Sequence, residues 1–561
     1  MKKTYFNLLK KWCDALIDLQ FKDKGDPTLY GGFHCRACHI LHGRASDAVY
    51  PFLVMAKHTG EEKYINAAKA VFDFGQNFVC DDGAVLNDGQ SQWKGITVFS
   101  ATAICEALTV GGHLLDTDTR TKWEKRLRAM GEWLYENMTE HMVTNINYPA
   151  TNCAALTLLG NYFGREDYLA QGKHLAEYVM ARITENGFLY GEGKPRDEVS
   201  PLGCVAVDIG YNMEESLPSL VKYAYIIKDE KLLERLSDIL LRQLDFMLPD
   251  GAWDNSFGTR NYKWTYWGSR TSDGCASAYT LLSDRNPVFA EAARRNTELV
   301  EKCTHAGLLH GGPHYHKHGE QPCTHHTFEH ANAIAFALEH SENMPTERVD
   351  LPCDTASSLA YYPEINTYKL AIGSYRATVT GNDSNARVGG HVCGGTLSLL
   401  WKYGEGPMIA ASVTEYTLIE AHNMQLPRYS NHRPLTPCLV KKQGDTLYTT
   451  ACFRTPEMTA SEENGKACVK VSTGLCNNSF KRMEGDSERV FTYTLSADGM
   501  RIKAENAHGT EFILPLISGE MKLLCGEVKA KEEIFFLTGG FEACEYTITP
   551  DENGSVELMI I

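Results

Sequence analysis

Apolar residues recur at helical spacing from residue 1 to about residue 345. Four segments open alike, with acidic residues in or just before the first turn of a predicted helix, where they favour the helix dipole. These openings lie at Gly60, Gly164, Lys228 and Asp284. The first three follow other apolar helices, at 48–57, 154–163 and 217–227. The repeated unit is therefore predicted to be a helical hairpin.

The spacing of the hairpins predicts how they are arranged. With 117–137 counted as a further outer helix, the openings recur at roughly 50 to 65 residues, as expected for antiparallel helix pairs. Five or six such pairs in a ring form an α/α toroid, and we predict an incomplete toroid of this kind. An open α-solenoid is the alternative. The loops between hairpins are long, polar and aromatic, and they need a common centre to serve, which favours the ring.

The pattern changes after Glu339, where short alternating segments are separated by turns rich in Gly, Asn and Asp. The alternating segments lie at 369–380, 396–403, 445–454, 467–473, 489–495 and 541–549. Many short strands of this type predict an antiparallel β-sandwich. Residues 341–352 are polar and contain proline, so we place a toroid domain at 1–350 and a sandwich domain at 351–561.

Charge and cysteine content narrow the range of partners and compartments. The 561 residues carry a formal net charge of -16, which argues against general binding to nucleic acid or to a membrane, although a local cationic groove can still hold a polyanion. The N-terminus is basic but lacks the apolar middle and cleavage site of a signal peptide, and the 18 cysteines are dispersed. We predict a cytoplasmic protein, or a periplasmic one if a signal peptide was removed; no oligomeric state is predicted.

A long loop at 249–274 contains three of the eight tryptophans, a composition typical of a sugar-binding cleft. Its rings can stack on sugars and its cations can neutralise a carboxylate or sulfate. The residues concerned are Trp253, Trp264, Trp267, Arg260, Lys263 and Arg270. Loops of this length without regular structure are uncommon unless functional. The alternative is a capped loop whose rings pack on its own domain.

Asparagines crowd the start of one predicted inner helix, at Asn145, Asn147 and Asn152. Helix capping explains one of them. A neutral Asn beside a uronate can donate hydrogen bonds as the carboxylate gains enolate character, which lowers the barrier to removal of the neighbouring C5 proton. Asn147 and Asn152 are therefore candidate carboxylate neutralisers.

Tyr211 lies between a glycine and an asparagine at the head of another apolar helix. We expect it to point from a loop into a cleft. A tyrosine held near cations loses its proton more readily than its ordinary pKa of about 10 implies. Tyr211 is therefore a candidate for the base that removes a proton and the acid that returns it.

Two segments combine histidine with cysteine. Cys35 and Cys38 form a CxxC that, with His39 and His42, allows a zinc site, yet no second pair follows at zinc-finger spacing. The preferred interpretation is that His42, Arg44 and Asp47 face the toroid centre and contact substrate. The second segment is a histidine-rich run from residue 305 to residue 330, in which alternate histidines bind metal if the chain is extended. Sugar contact or packing is preferred there, with His316 as a substrate-binding candidate.

A glycine-rich loop surrounds His391 in the sandwich half, with Gly389-Gly390 before it and Gly394-Gly395 after it. Glycines on both sides let the backbone approach a ligand closely. A lone histidine is more often structural, but flanking glycine pairs are unusual for packing alone.

The predicted toroid and sandwich, the Asn-rich helix, Tyr211 and the segment His-Val-Cys-Gly-Gly-Thr-Leu-Ser-Leu at 391–399 together resemble the heparinase II/III-like polysaccharide lyases. The resemblance implies Asn147 or Asn152 as neutraliser, Tyr211 as base and acid, and His391 as a cleft or metal-binding histidine. It implies no required cofactor. It allows a structural divalent metal in the sandwich, zinc, manganese or calcium, with His391 and His422 as candidate ligands.

The chain departs from that family at two places. The family often has Asn-His where this chain has Asn147-Tyr148, and His-x-His where this chain has Gly389-Gly390-His391. The assisting histidine is therefore open between His42, His316 and His391. Tyr266, in the long loop, is the rival to Tyr211.

These observations predict a polysaccharide lyase that cleaves a uronic-acid-containing polysaccharide or oligosaccharide by β-elimination. Glycosaminoglycans of the hyaluronan, chondroitin or heparan type are the expected substrates. One alternative is an α/α-toroid glycoside hydrolase that uses Asp208 and Asp254 across the scissile bond. The other is a glycan-binding protein without catalytic activity.

Overall fold

A computed structural model describes residues 1–141, 145–193, 197–261, 275–319, 321–384, 392–411, 417–420, 423–425, 433–535 and 541–561. Helices α1 to α13 span, in order, Lys2–Asp18, Val49–Thr59, Glu62–Gly75, Thr97–Gly111, Thr117–Asn137, Asn147–Phe163, Glu166–Met180, Ile209–Tyr211, Leu217–Ile227, Glu230–Gln243, Ala276–Leu281, Pro287–Lys302 and Thr324–His340. A 3-10 helix, Gly43–Ala48, leads into α2, and a π-helical turn, Asn212–Ser216, joins α8 to α9.

The helices form a ring of hairpins. The inner helices are α2, α4, α6, α9, α11 and α13; each packs against the next, and α13 packs back against α2. Each outer helix packs mainly against one inner helix: α3 on α2, α5 on α4, α7 on α6, α10 on α9, α12 on α11 and α1 on α13. The predicted α/α toroid is confirmed. Its first helix, α1, therefore lies against its last helix, α13.

The repeated openings seen in the sequence mark the junctions between inner and outer helices. Gly60 ends α2 with φ 72°, and Gly164 ends α6 with φ 68°. Glycine adopts this left-handed conformation without strain, and it commonly ends a helix. The next helices begin at once with Glu62 and Glu166 in their first turns, where a negative charge favours the helix dipole.

Short strands make up most of the remaining chain. Strands β1 to β20 span, in order, Thr304–His305, Leu308–Leu309, Ser357–Tyr362, Thr367–Ile372, Tyr375–Thr380, Thr396–Lys402, Gly406–Ala410, Thr417–Glu420, Asn423–Gln425, Cys438–Gln443, Thr446–Thr449, Glu457–Glu463, Lys466–Thr473, Arg489–Ser496, Gly499–Glu505, Glu511–Leu516, Met521–Cys525, Glu527–Phe535, Glu542–Thr549 and Val556–Ile560. The stretch predicted at 369–380 is thus a hairpin, β4 and β5, which turns at Gly373 with φ 53°.

The strands after residue 350 form three larger antiparallel sheets, with strand orders β3-β4-β5-β6-β7, β12-β13-β14-β15-β20-β17 and β11-β10-β16-β19-β18. Their inward-facing side chains share one apolar core, to which Val379, Val471, Phe491 and Phe512 belong. Alternate residues of β14 are buried, as expected for a strand with one face on the core. The predicted β-sandwich is confirmed.

The chain divides into two compact units. The helical unit contains Met1–Leu189, Gly210–Gln243 and Arg270–Val349, and the β-rich unit contains Tyr190–Ile209, Leu244–Ser269 and Asp350–Ile561. The described start of the predicted cleft loop is thus part of the β-rich unit. There the side-chain amide of Asn382 donates to the carbonyl of Phe257 at 2.9 Å, and the hydroxyl oxygens of Ser256 and Ser398 are 2.7 Å apart.

Two further observations concern the environment of the chain. All 18 cysteines lie among the described residues, and none of them forms a disulfide. Within the part of the chain that the structure describes, every helix is too short or too polar to cross a membrane.

Candidate active site

A charged cavity lies among the inner helices of the toroid. Its lining includes five carboxylate side chains and two cationic ones, together with aromatic and small residues. The charged residues are Asp47, Glu106, Glu214, Glu215, Glu329, Arg44 and Lys222. All of them belong to the helical unit. The excess of carboxylates makes the interior of this cavity unfavourable for a polyanion, so an acidic sugar needs neutral donors to approach it.

Arg44 is held on one wall of the cavity by two carboxylates. Its Nε atom donates to Oδ2 of Asp47 at 3.0 Å, and its Nη2 pairs with Glu329. Burial acts to lower the pKa of Arg44, but the charges of Glu329, Asp47 and Glu215 outweigh it and raise that pKa. The Arg44 guanidinium also lies over the Phe99 ring, 4.2 Å from its centre. Arg44 lines the cavity, as predicted, but Asp47 and Glu329 already neutralise its positive charge.

Asn147 begins α6 and is 2% exposed. Its amide nitrogen donates to Oε2 of Glu215 at 2.5 Å, so a cavity carboxylate fixes the orientation of the amide. The next residue, Tyr148, accepts a hydrogen bond from the indole of Trp93 at 2.8 Å. Burial, then the charge of Glu215, raises the pKa of Tyr148, and Tyr211 contributes further. Asn147, Tyr148, Glu215 and Tyr211 therefore form one interacting group.

Tyr211 is the last residue of α8 and directly precedes the π-helical turn. It is partly exposed, whereas the following residues Asn212 and Met213 are buried. The sequence predicted a loop position, but the backbone is helical there. π-Helical turns are rare and are frequent at functional sites. The wider turn carries Glu214 and Glu215, so the same feature supplies Tyr211 and two carboxylates of the cavity.

Asn152 does not fit the predicted role of neutraliser. Its side chain is 0% exposed, and its amide nitrogen lies 2.8 Å from the Met138 carbonyl and 3.4 Å from that of Leu134. These carbonyls lie at the C-terminal end of α5, where intrahelical partners are lacking. In the structure Asn152 therefore supplies hydrogen bonds to the carbonyl groups at the C-terminal end of α5.

His42 is also buried, at 3% exposed, and does not line the cavity. Its Nε2 atom lies 3.1 Å from Sγ of Cys38, and its Nδ1 lies 3.1 Å from Nδ1 of His325. The predicted substrate contact is therefore wrong, because both ring nitrogens face other side chains. The neighbours instead place His42 in a thiol cluster.

His316 lies on the surface, in the short helix Tyr315–His318. Its ring stacks on that of His305, with 3.7 Å between ring centres, and the His310 ring is 6.3 Å away. Burial lowers the pKa of His305, and the neighbouring His316 lowers it further. His316 is therefore exposed, but it is absent from the described lining of the charged cavity.

The histidines that approach the cavity lie in α13. His330 is buried, and its Nε2 atom is 3.7 Å from Oε2 of Glu214. The His326 ring stacks on His330 at 4.5 Å between centres. Burial lowers the pKa of His330 to about 4. Both residues belong to the histidine-rich run, but neither was predicted as a site residue. Their spacing of four residues places both on one face of a helix, and this spacing could have identified them.

The side chains of Arg260 and Trp253 are buried and are not accessible to a ligand. Arg260 is 5% exposed and pairs with Glu192 and, at 3.4 Å, with Asp208. Its predicted role in binding substrate carboxylates is wrong, because two buried carboxylates of the same unit already neutralise the guanidinium. Trp253 is 3% exposed, so its faces are covered by protein.

Asp208 and Asp254, the pair required by a glycoside hydrolase, are both 0% exposed. Asp208 balances Arg260, while Asp254 accepts from Thr378 and lies 3.3 Å from the Lys369 amine. Buried carboxylates engaged in this way cannot flank a glycosidic bond and activate water. The predicted residues Trp264, Tyr266, Trp267, Arg270, His391 and His422 lie outside the described residues.

The sequence matches one family over most of its length. Residues 9–354 match the Ulvan lyase N-terminal domain, and residues 359–526 match the Ulvan lyase C-terminal domain. The broad-specificity ulvan lyase of Formosa agariphila is 38% identical over 533 residues, which cover 92% of this chain and 83% of that protein.

The chain is also similar to solved structures of distant proteins. The chondroitin AC lyase of Streptomyces coelicolor A3 has a TM-score of 0.51 at 9% identity, with 100% of this chain and 79% of that chain covered. The heparan sulfate lyase HepC of Pedobacter heparinus has a TM-score of 0.44 at 9% identity, with 98% and 82% covered.

The fold and these sequence matches define the protein as a polysaccharide lyase, which confirms the predicted class of enzyme. The chain belongs to the ulvan lyase family. The resemblance to polysaccharide lyases was therefore correct at the level of the class, while the family shown is that of the ulvan lyases and not the heparinase type.

Proposed function

We propose that the protein cleaves ulvan, a sulfated polysaccharide of rhamnose and uronic acid, by β-elimination. The observation that carries this proposal is the 38% identity to a broad-specificity ulvan lyase over 92% of the chain. The range matched by the family's N-terminal domain, residues 9–354, contains the interacting group around Asn147. Acidic polysaccharide or oligosaccharide is the partner, and no cofactor enters the reaction.

In the proposed reaction Asn147 neutralises the uronate. An amide nitrogen carries two N–H groups, so Asn147 can hold Glu215 with one and donate the other to the substrate carboxylate. A neutral donor suits this site because the neighbouring cavity is already acidic. The hydrogen bond strengthens as the carboxylate gains enolate character, and this stabilises the transition state.

Tyr211 supplies the proton chemistry. Its phenolate takes the C5 proton, the C5–H pair forms the C4=C5 double bond, and the C4–O bond breaks. The proton then passes from Tyr211, or from a histidine, to the leaving glycosidic oxygen. The product carries a 4,5-unsaturated uronate at its new non-reducing end. The partial exposure of Tyr211 supports this assignment over buried tyrosines of the toroid.

The substrate is tested by following the ultraviolet absorbance of the unsaturated product. The purified protein is incubated with ulvan and, in parallel, with hyaluronan, chondroitin, heparan and alginate. Absorbance should rise with ulvan and rise much more slowly with the glycosaminoglycans. A rise on a glycosaminoglycan alone would overturn the ulvan assignment but keep the lyase, and no rise on any polymer would overturn the proposed reaction.

The roles of Tyr211 and Asn147 are tested by substitution. Tyr211→Phe should lower kcat about 10²- to 10⁴-fold, the usual contribution of a general acid–base, and change KM little. Asn147→Ala should lower kcat about 10²- to 10³-fold. The control is Tyr178→Phe, a partly buried tyrosine of the outer helix α7, which should keep wild-type kinetics. A collapse of kcat in Tyr266→Phe, with Tyr211→Phe unaffected, would move the base to the long loop.

A further inference from the structure

Three thiols and one imidazole lie close together within the helical unit. Cys35 and Cys38 lie in the loop between α1 and the Gly43–Ala48 turn, His42 ends that loop, and Cys323 directly precedes α13. Their four ligand atoms, three Sγ and one ring nitrogen of His42, all lie within 4.8 Å of one another. Among the described residues this is the group of histidine, cysteine or acidic side chains that fits a metal ion.

The distances within the cluster are close to those of ligands around one ion: the sulfur–sulfur distance lies in the tetrahedral range, and the sulfur–nitrogen distance is shorter. The Sγ atoms of Cys35 and Cys323 are 3.7 Å apart, and Sγ of Cys38 is 3.1 Å from Nε2 of His42. Four ligands at tetrahedral angles, with Zn–S about 2.3 Å and Zn–N about 2.0 Å, have neighbouring ligand atoms about 3.5 to 3.8 Å apart. A disulfide would need the sulfurs at about 2.05 Å, and no cysteine of the chain is in one.

We propose that Cys35, Cys38, His42 and Cys323 form a closed structural zinc site. The set Cys₃His is typical of structural zinc, which takes four protein ligands and no open position. Cys35, His42 and Cys323 are buried and Cys38 is partly buried, so substrate does not reach the ion. Its four ligands are different residues from His391 and His422, which the sequence suggested as ligands of a metal in the sandwich.

The surroundings of His42 match those of a zinc-bound histidine. Zinc on Nε2 leaves the proton on Nδ1, and a metal-bound histidine usually donates that proton to a neighbouring acceptor. Nδ1 of His325 lies 3.1 Å away and can accept it. His325 then carries its own proton on Nε2, which lies 3.2 Å from Oε1 of Glu329. One metal ion thus fixes the tautomers of two histidines.

This chain of contacts ends at the cavity wall. Glu329 pairs through its other oxygen with Arg44, and Arg44 pairs with Asp47. Arg44, Asp47 and Glu329 all line the charged cavity. His42 and His325 are therefore positioning residues: the zinc site orients the wall without touching substrate. It also joins two parts of the chain that are 288 residues apart in sequence.

The first test measures metal in the full chain. The protein is purified reduced, without a metal-affinity tag or chelator, and its metal is counted by inductively coupled plasma mass spectrometry. One zinc per chain is expected. After removal of the metal and addition of Co²⁺, the expected spectrum has a thiolate-to-cobalt charge-transfer band and the strong d–d bands of tetrahedral cobalt.

The second test compares ligand variants with a matched control. Cys323→Ser and Cys38→Ser should retain at least about 10-fold less zinc after dialysis, whereas Cys80→Ser, at a partly buried cysteine outside the cluster, should retain one zinc per chain. His325→Phe keeps the four ligands and removes the acceptor, so its zinc affinity should fall about 10- to 100-fold. A chelator should lower the thermal midpoint of wild type and of Cys80→Ser, but leave that of Cys323→Ser unchanged.

Three results would overturn the proposal. The first is wild-type protein that holds no zinc as purified and shows no thiolate band with Co²⁺, a result that stands even if the ligand variants fail to fold. The second is equal zinc loss in Cys80→Ser and Cys323→Ser. The third is a Cys35–Cys323 or Cys35–Cys38 disulfide found by mass spectrometry in protein isolated without reductant and never exposed to a chelator, which would identify a redox pair instead.

Discussion

The histidines of α13 show how much the role of a residue depends on its neighbours. His325 faces His42 and Glu329, whereas His330, five residues later, faces Glu214 and stacks on His326. All three histidines are buried. The same type of side chain therefore contacts the thiol cluster at one position and, at another, lies uncharged behind the cavity carboxylate Glu214.

His330 makes the stability of the protein dependent on pH. Burial lowers its pKa to about 4 from the ordinary 6.5. Between these values the unfolded chain binds more protons than the folded one, so stability from neutral His330 is complete above pH 6.5 and is lost as pH falls towards 4. Between pH 7 and pH 5 the unfolding free energy should fall by about 2 kcal/mol through this group. Measured by urea unfolding, the unfolding free energy of His330→Gln should fall by about 2 kcal/mol less than that of the wild type between pH 7 and pH 5.

The control for this experiment is His141→Gln, which removes an imidazole from the surface and should keep the wild-type dependence. An unchanged slope in His330→Gln would mean that His330 is charged in the folded protein and paired with Glu214.

The sequence alone indicated some neighbours of the cavity and misassigned other residues for a physical reason. Asn147 and Tyr211, which the proposed reaction uses, stood out because helix starts expose polar groups with few local partners. Arg260 and His42 were misassigned because their partners, Glu192 and His325, are distant in sequence, and a charged or polar side chain looks available until its partner is known.

At the scale of elements, the helix boundaries followed from local signals. The predicted helices at 117–137 and 217–227 match α5 and α9 residue for residue. Apolar periodicity, a terminal glycine and acidic first turns are all local, so they can be read without the tertiary structure. The π-helical turn at Asn212–Ser216 could not be predicted, because its extra residue per turn has no comparable sequence signal.

The contact between α6 and α7 requires a small residue at Gly172. A Cβ atom there would lie 2.5 Å from Oγ1 of Thr157 and 2.9 Å from the carbonyl oxygen of Cys153. Alanine normally stabilises a helix interior relative to glycine by about 0.5 to 1 kcal/mol. At this position we expect the opposite sign, a loss of about 1 to 3 kcal/mol through overpacking, measured by urea unfolding.

Gly112→Ala is the matched substitution, because a Cβ atom there meets only Leu108, at 3.9 Å, which is ordinary contact. It should leave stability unchanged or slightly higher. Equal losses at both glycines would show that backbone freedom and not the approach of α6 to α7 sets the effect.

At the scale of the molecule, the class of fold was predictable because a 3.6-residue period and a 2-residue period occupy different parts of the chain. The sequence could predict only part of the thiol cluster. Cys35, Cys38 and His42 are close in sequence, but Cys323 joins them only through the tertiary structure. The β-rich unit also takes Tyr190–Ile209 and Leu244–Ser269 from the helical half, a placement that strand patterns cannot indicate.

The net charge of the whole chain should affect encounter with a polyanion. A formal charge of -16 repels ulvan over a Debye length, which shrinks from about 30 Å at 0.01 M salt to about 8 Å at 0.15 M. We therefore expect kcat/KM on ulvan to rise several-fold across this range of NaCl, and to rise less on a short unsaturated oligosaccharide. A fall in kcat/KM with salt would mean that a local cationic surface governs binding.

The packing of α1 against α13 has a consequence for synthesis of the protein. The apolar face of α1, which includes Tyr5, Leu8, Trp12 and Leu16, is buried only once α13 is in place. A ribosome that adds about 5 to 20 residues per second needs about 15 to 65 seconds to pass from the end of α1 to the end of α13. For that time the nascent chain carries an uncovered apolar helix, which makes it a target for chaperones until the ring can close.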